Sequence, residues 1–127
     1  MTIRVLTGAN AARCPVRDVL ARVSDRWSVL VLVALRAETR RFTALKREIG
    51  DISQRMLAQT LRRLEQDGLV ERTAYATIPP RVDYALTPLG RSLLAQLEEL
   101  VAWADTHHPA IREARARYVP PPAPSAP

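Results

Sequence analysis

One short segment with capping residues at both ends constrains the fold of this chain more than any other feature. Ser53 is a preferred N-cap residue, and Gly68 suits the left-handed position that follows a helix. A shorter helix is predicted from Thr43 to Ile49, and Gly50-Asp51-Ile52 leaves only a tight turn between the two. The leucines of the second helix share one face: Leu57, Leu61 and Leu64. The sequence therefore predicts a helix-turn-helix.

The segments before this motif predict two further helices and a strand. Pro15 is suited to the first turn of a helix over about residues 15–24. Ser24 or Asp25 supplies the N-cap of a second helix, from Arg26 to about Arg36. That helix is apolar almost all round, which predicts a central buried position. Thr39-Arg40-Arg41 favours a short edge strand.

After the motif, two extended runs predict a β-hairpin. Val70 to Thr77 and Arg81 to Leu86 are the strands, and Ile78-Pro79-Pro80 forms the loop because proline cannot continue a ladder. In the second strand, one face carries Val82, Tyr84 and Leu86 toward the core, and the other carries Arg81, Asp83 and Ala85. We therefore predict that this hairpin is the wing of a winged helix-turn-helix.

A long helix follows the wing. Thr87 and Pro88 are an N-cap and first-position pair that opens an amphipathic helix over about residues 87–106, and His107-His108-Pro109 predicts a break. We expect a mainly α fold with a small β-hairpin wing, a winged helix-turn-helix with a long C-terminal dimerisation helix. The predicted division is a loose arm over 1–13, the domain over 14–108, a basic extension over 109–118 and a disordered proline-rich tail over 119–127.

The charge of the chain favours a polyanionic partner. The formal net charge is +6 and the pI is near 10.6. Residues 36–91 carry eleven Lys and Arg side chains against seven acids, a net +4, so the positive charge is concentrated in the predicted motif. Cationic side chains that neutralise phosphates release counterions on binding, which favours nucleic acid.

The second helix of the motif predicts a surface that reads DNA. Opposite its leucines, arginine suits guanine edges, glutamine suits adenine edges, and a small residue permits close approach. The helix N-terminus also favours a phosphate, and Arg81, beside the stiff loop, is placed to contact the minor groove or its phosphates. The predicted DNA contacts are Lys46, Ser53, Gln54, Arg55, Ala58, Gln59, Arg62, Arg63 and Arg81.

Short motifs along most of the chain resemble the HxlR-type family of bacterial regulators, which are relatives of the MarR-like winged helix proteins. The matching stretches include Cys-Pro-Val at 14–16, Asp-Arg-Trp at 25–27, Ile-Ser-Gln-Arg-Met-Leu at 52–57, Leu-Arg-Arg-Leu-Glu-Gln-Asp-Gly-Leu-Val at 61–70, Pro-Pro-Arg-Val-Asp-Tyr at 79–84 and Leu-Thr-Pro-Leu-Gly at 86–90. The resemblance implies a sequence-specific regulator that binds a palindromic operator in double-stranded DNA as a homodimer, through dimer contacts of the first and last helices.

The resemblance also implies a candidate redox sensor at Cys14, since some members of the family use a cysteine at this position to sense oxidants, quinones or aldehydes. Arg13 and a helix that begins at Pro15 would both stabilise its thiolate. The same position holds cysteine in relatives without a known redox role, so the existence and the identity of an effector stay open, as do the operator and the direction of regulation.

Other classes of function find little support in the sequence. A phosphate loop, a nucleophile elbow and metal-ligand spacing are all absent, and neighbouring His107 and His108 point to different sides of a helix, so we expect no enzyme, no cofactor and no metal site. The longest apolar run, Val29 to Leu35, is too short to span a membrane, and a single cysteine fits a cytoplasmic protein. The alternative is a winged-helix module that binds small molecules or proteins and does not target DNA.

Overall fold

The computed structural model describes residues 15–124, so the predicted arm over 1–13 and Cys14 lie outside the described residues. The order of elements is α1 (Pro15–Val23), α2 (Arg26–Ala34), β1 (Arg40–Arg41), α3 (Phe42–Ile49), α4 (Gln54–Gln66), β2 (Val70–Tyr75), β3 (Arg81–Leu86) and α5 (Pro88–Arg117). A three-stranded antiparallel sheet has the order β1-β3-β2. The mainly α winged helix-turn-helix predicted from the sequence is confirmed.

The chain divides into two compact units, one up to Ala95 and one from Gln96. The core of the first unit lies where α2 packs against α3 and α4, and where α4 packs against β2. Its fully buried side chains are mostly branched aliphatics, which pack densely without polar atoms to satisfy. They are Val31, Leu32, Leu35, Leu45, Ile52, Leu57, Leu61, Leu64 and Val70.

Local capping chemistry fixes the helix ends as predicted. Asp25 accepts a hydrogen bond from the Trp27 N–H at 3.0 Å at the start of α2, and Ser53 accepts one from the Met56 N–H at 3.0 Å at the start of α4. Gly68 has a φ of 75°, a left-handed conformation that a side chain would strain. These contacts account for the bounds of both helices.

The prediction that α2 is buried on all sides is wrong on one side. Ser28, Val31, Leu32 and Ala34 are buried, whereas Leu30 and Val33 are exposed. The physical reason is that α1, which packs against α2, has no buried residue and covers its neighbour only in part.

The predicted helix break at His107-His108-Pro109 is also wrong. Helix α5 continues through Pro109 to Arg117, over 30 residues. A proline inside a helix removes the hydrogen bond to the carbonyl four residues earlier, here that of Asp105. Asp105 and Pro109 are both exposed, so water can satisfy that carbonyl and the helix tolerates the proline.

The second unit contains the rest of α5. Leu100, Val101 and Trp103 are 61%, 48% and 53% exposed, which is high for apolar side chains. The rings of Trp103 and His107, one helical turn apart, lie 4.8 Å from each other between centroids. Residues 118–124 contain neither helix nor strand.

Candidate nucleic-acid interface

Helix α4 separates into two chemically different faces. Leu57, Thr60, Leu61 and Leu64 are buried against the core. Thr60 is the polar member of this face, and its hydroxyl donates to the Met56 carbonyl at 2.8 Å within the helix, so its burial leaves no unpaired group. The opposite face is exposed and bears Gln54, Arg55, Gln59 and Arg62.

This exposed face holds five of the predicted contact residues once Ser53, at the helix start, is included. Ala58 and Arg63 are half-buried at its margins. Arg63 lies 3.9 Å from the Asp25 carboxylate, so this arginine links α4 to the cap of α2. Arg55 and Arg62 form no ion pair among residues 15–124, which leaves their guanidinium groups available to a ligand. Ser53 already accepts the Met56 N–H, and its hydroxyl hydrogen is still able to be donated.

The first helix of the motif contributes a cationic depression. Lys46, one of the predicted contacts, lines it together with Thr43, Arg47 and Gly50. Lysine and arginine side chains around a shallow concave surface suit a phosphate group. Thr43 and Arg47 were not among the predicted contacts, although their spacing of four residues along α3 would have placed them on one face.

At the wing, Arg81 is the first residue of β3 and pairs in register with Tyr75, the last residue of β2. Its guanidinium donates two hydrogen bonds to Asp83, from Nε at 3.0 Å and from Nη2 at 2.9 Å. It also lies over the Tyr75 ring, 5.3 Å from the centroid. The hydrogen bonds with Asp83 raise the pKa of Arg81, and the same bonds lower the pKa of Asp83 below its ordinary value.

The alternation along β3 predicts Asp83 on the outer face of the hairpin, and in the structure Asp83 is instead buried. Two neighbours cover it: Arg81, two residues earlier on the same face of β3, and Arg41, its cross-strand partner on β1. The Arg-Val-Asp run at 81–83 already placed opposite charges at a spacing of two, which is the signal that could have revealed the first contact.

Two kinds of site are absent from the part of the chain that the structure describes. It contains no group of three or more metal-ligating side chains. It also contains no helix with the length and apolar character that a membrane crossing requires. Cys14, the candidate redox sensor, lies outside these residues.

A family model and curated relatives match most of the chain. The family model described as HxlR-like helix-turn-helix matches residues 22–112. The helix-turn-helix-type transcriptional regulator YtfH of Escherichia coli is 49% identical over 109 residues, which span 84% of this chain and 86% of that protein.

Solved structures give the same result. The structure of ytfH from Salmonella typhimurium, described as a transcriptional regulator, is 44% identical with a TM-score of 0.74, over 87% of this chain and 98% of the other. The redox regulator HypR in its reduced form is 31% identical with a TM-score of 0.73, over 78% of this chain and 98% of the other.

Proposed function

Because this chain belongs to the HxlR-like helix-turn-helix family of transcriptional regulators, we propose that it binds a palindromic operator in double-stranded DNA as a homodimer. In this proposal α4 enters the major groove, α3 contacts the backbone beside it and the wing contacts the adjacent minor groove or its phosphates. The proposal covers a transcription factor without catalytic activity that acts in the cytoplasm.

The observation that carries the proposal is the exposed face of α4. Its side chains are arginines and glutamines on a helix whose other face is packed into the core, so the helix presents them to solvent from a fixed backbone. Such side chains form paired hydrogen bonds with guanine and adenine edges. A module that docks on proteins would need an apolar patch on this face, and α4 offers polar groups there instead.

Each protomer would contribute exposed apolar side chains to the dimer. Val19 and Leu20 on α1 are 48% and 55% exposed, and the part of α5 in the second unit exposes Leu100, Val101 and Trp103. Large apolar side chains left in water favour association. Two copies related by a twofold axis would present two α4 helices to half-sites about one helical turn of DNA apart.

A response to oxidants or electrophiles at Cys14 is a further part of the proposal. Its support is the family resemblance and the similarity to HypR, which is named a redox regulator. Treatment with diamide or methylglyoxal should change the DNA affinity of the wild type and leave Cys14→Ser unaffected. Equal responses of the two proteins would contradict this part alone.

Footprinting on the DNA that flanks the protein's own gene tests the central claim. Arg55→Ala and Arg62→Ala should lose the preference for the protected sequence over other duplexes. Arg81→Ala should weaken binding to every duplex and lower the salt dependence of the affinity. Glu65→Gln, an exposed change on the same helix, serves as the control. If both Arg55→Ala and Arg62→Ala keep the sequence preference of the wild type, the assignment of α4 as the helix that reads the operator is refuted. Sedimentation at micromolar concentration tests the dimer.

A further inference from the structure

Asp83 is an unexpected residue to find buried in a wing. The outer strand β2 is exposed along all of its length except Val70, and yet Asp83, in the strand beside it, is 6% exposed. A buried carboxylate loses hydration and is tolerated when charged partners replace the water. The partners here are two arginines from different strands.

The two arginines contact the Asp83 carboxylate differently: Arg81 forms a fork of two hydrogen bonds, and Arg41 forms a longer ion pair. Arg81 binds both carboxylate oxygens through Nε and Nη2, at 3.0 and 2.9 Å, and these two bonds leave Nη1 outside the fork. Arg41 Nε lies 4.0 Å from Oδ1, the oxygen that Arg81 Nε also contacts. The two arginine side chains stay 48% and 60% exposed. One buried anion therefore orients two cations that still face solvent.

Both arginines lie on parts of the molecule that the proposed function brings close to DNA. Arg81 begins β3 beside the loop of the hairpin, and Arg41 is the residue at the N-cap of α3, the first helix of the motif. Tyr75 adds a ring under the Arg81 guanidinium, which restricts its motion further. A long side chain that is already ordered loses less conformational entropy when it meets a phosphate.

We propose that Asp83 is a positioning residue for DNA binding: it holds Arg81 and Arg41 in the orientation in which both contact the duplex backbone. The inference rests on the proposed function, and it extends that function to an acid that itself repels DNA. Asp83 acts through the arginines and makes no contact with a base or a phosphate.

The proposal predicts a change in DNA affinity that is opposite in sign to the change expected from net charge alone. Removal of a negative charge near DNA should strengthen binding if only net charge matters. Asp83→Asn should instead weaken binding, because the amide cannot hold two cations and both arginines regain their freedom. Glu71→Gln is the matched control, since it removes the same charge from the exposed strand β2 of the same sheet.

The experiment measures fluorescence anisotropy of a mixed-sequence duplex of about 30 base pairs, long enough for two half-sites, at several salt concentrations. Asp83→Asn should lower the affinity about threefold to tenfold, the range expected when one or two long side chains must be ordered on binding. Glu71→Gln should bind as well as the wild type or better. Asp83→Glu, which keeps the charge, should recover most of the loss, and Asp83→Asn should add little further loss in an Arg81→Ala background.

Arg81→Lys keeps the proposal testable if Asp83→Asn does not fold. Lysine retains the charge and cannot form the fork, so its affinity should fall as that of Asp83→Asn does. Wild-type affinity in Arg81→Lys, or an Asp83→Asn protein that folds and binds as tightly as Glu71→Gln, would overturn the inference. In either case a sequence preference of the wild type that is lost in Arg62→Ala leaves the proposed function standing, whereas a wild type that binds no duplex refutes the function itself.

Discussion

The substitution Gly90→Ala tests how closely the start of α5 approaches the start of the wing. Gly90 lies in the first turn of α5, where its N–H donates to Thr87 Oγ1 at 3.0 Å. A Cβ on Gly90 would lie 2.1 Å from the Leu69 carbonyl oxygen and 3.3 Å from Leu86 Cδ2. Ordinary contacts between carbon and a carbonyl oxygen are about 3.3 Å or longer. The backbone at Leu69 must therefore move by about 1 Å to admit a methyl group.

The expected change in the free energy of unfolding of Gly90→Ala is the sum of three contributions. Overpacking of this kind costs about 1 to 3 kcal/mol. The displaced Leu69 carbonyl accepts the Thr87 N–H at 3.1 Å, and loss of that hydrogen bond adds about 1 kcal/mol. Alanine is better than glycine in a helix by about 1 kcal/mol, which acts in the opposite direction. We expect a net decrease of about 2 kcal/mol in the free energy of unfolding.

Urea denaturation followed by far-UV circular dichroism measures this change, at one fixed protomer concentration because association would stabilise the folded state. Ala95→Gly, at an exposed position of the same helix, isolates the propensity contribution and should lower stability by about 1 kcal/mol. If Gly90→Ala were as stable as the wild type or more stable, the close approach described here would be wrong.

Two further predictions concern the free energy of unfolding and use the same urea denaturation assay. Ser53→Ala should lower the free energy of unfolding by about 1 kcal/mol, because the Met56 N–H loses its partner at the start of α4; an unchanged midpoint would contradict the cap. Asp83 has a lowered pKa in the folded state, so its ion pairs stabilise the fold above the ordinary aspartate pKa and that stabilisation is lost as the pH falls through the folded pKa. The stability difference between wild type and Asp83→Asn should be constant near neutral pH and shrink below about pH 4; a difference that persists in stronger acid would refute this.

The parts of the fold that follow from local chemistry could be predicted from the sequence. The caps at Asp25 and Ser53, the left-handed Gly68 and the leucine face of α4 each depend on residues within a few positions of one another. Membership of the HxlR-like family was likewise predictable from short motifs, and it is confirmed. The predicted DNA contacts stay predictions, with their exposure on α4 in their favour.

The parts that depend on distant neighbours could not be predicted. Asp83 is buried because Arg41 arrives from a strand more than forty residues earlier in the chain, which strand periodicity cannot reveal. The ion pair between Arg63 and Asp25 could not be predicted either, because the two residues are far apart in the sequence. The predicted helix break at Pro109 is wrong for another reason: proline predicts a helix end on average, and an exposed site accessible to water tolerates it.

The division of α4 into a sealed face and an exposed face has an evolutionary consequence. Substitutions at Leu57, Leu61 and Leu64 cost stability, whereas the residues proposed to read the operator contribute little to the core. Mutations at Gln54, Arg55, Gln59 and Arg62 can therefore accumulate after gene duplication without unfolding the protein. Under the proposed function, a lineage with this architecture can acquire new target genes by exchanging a few surface side chains on one helix.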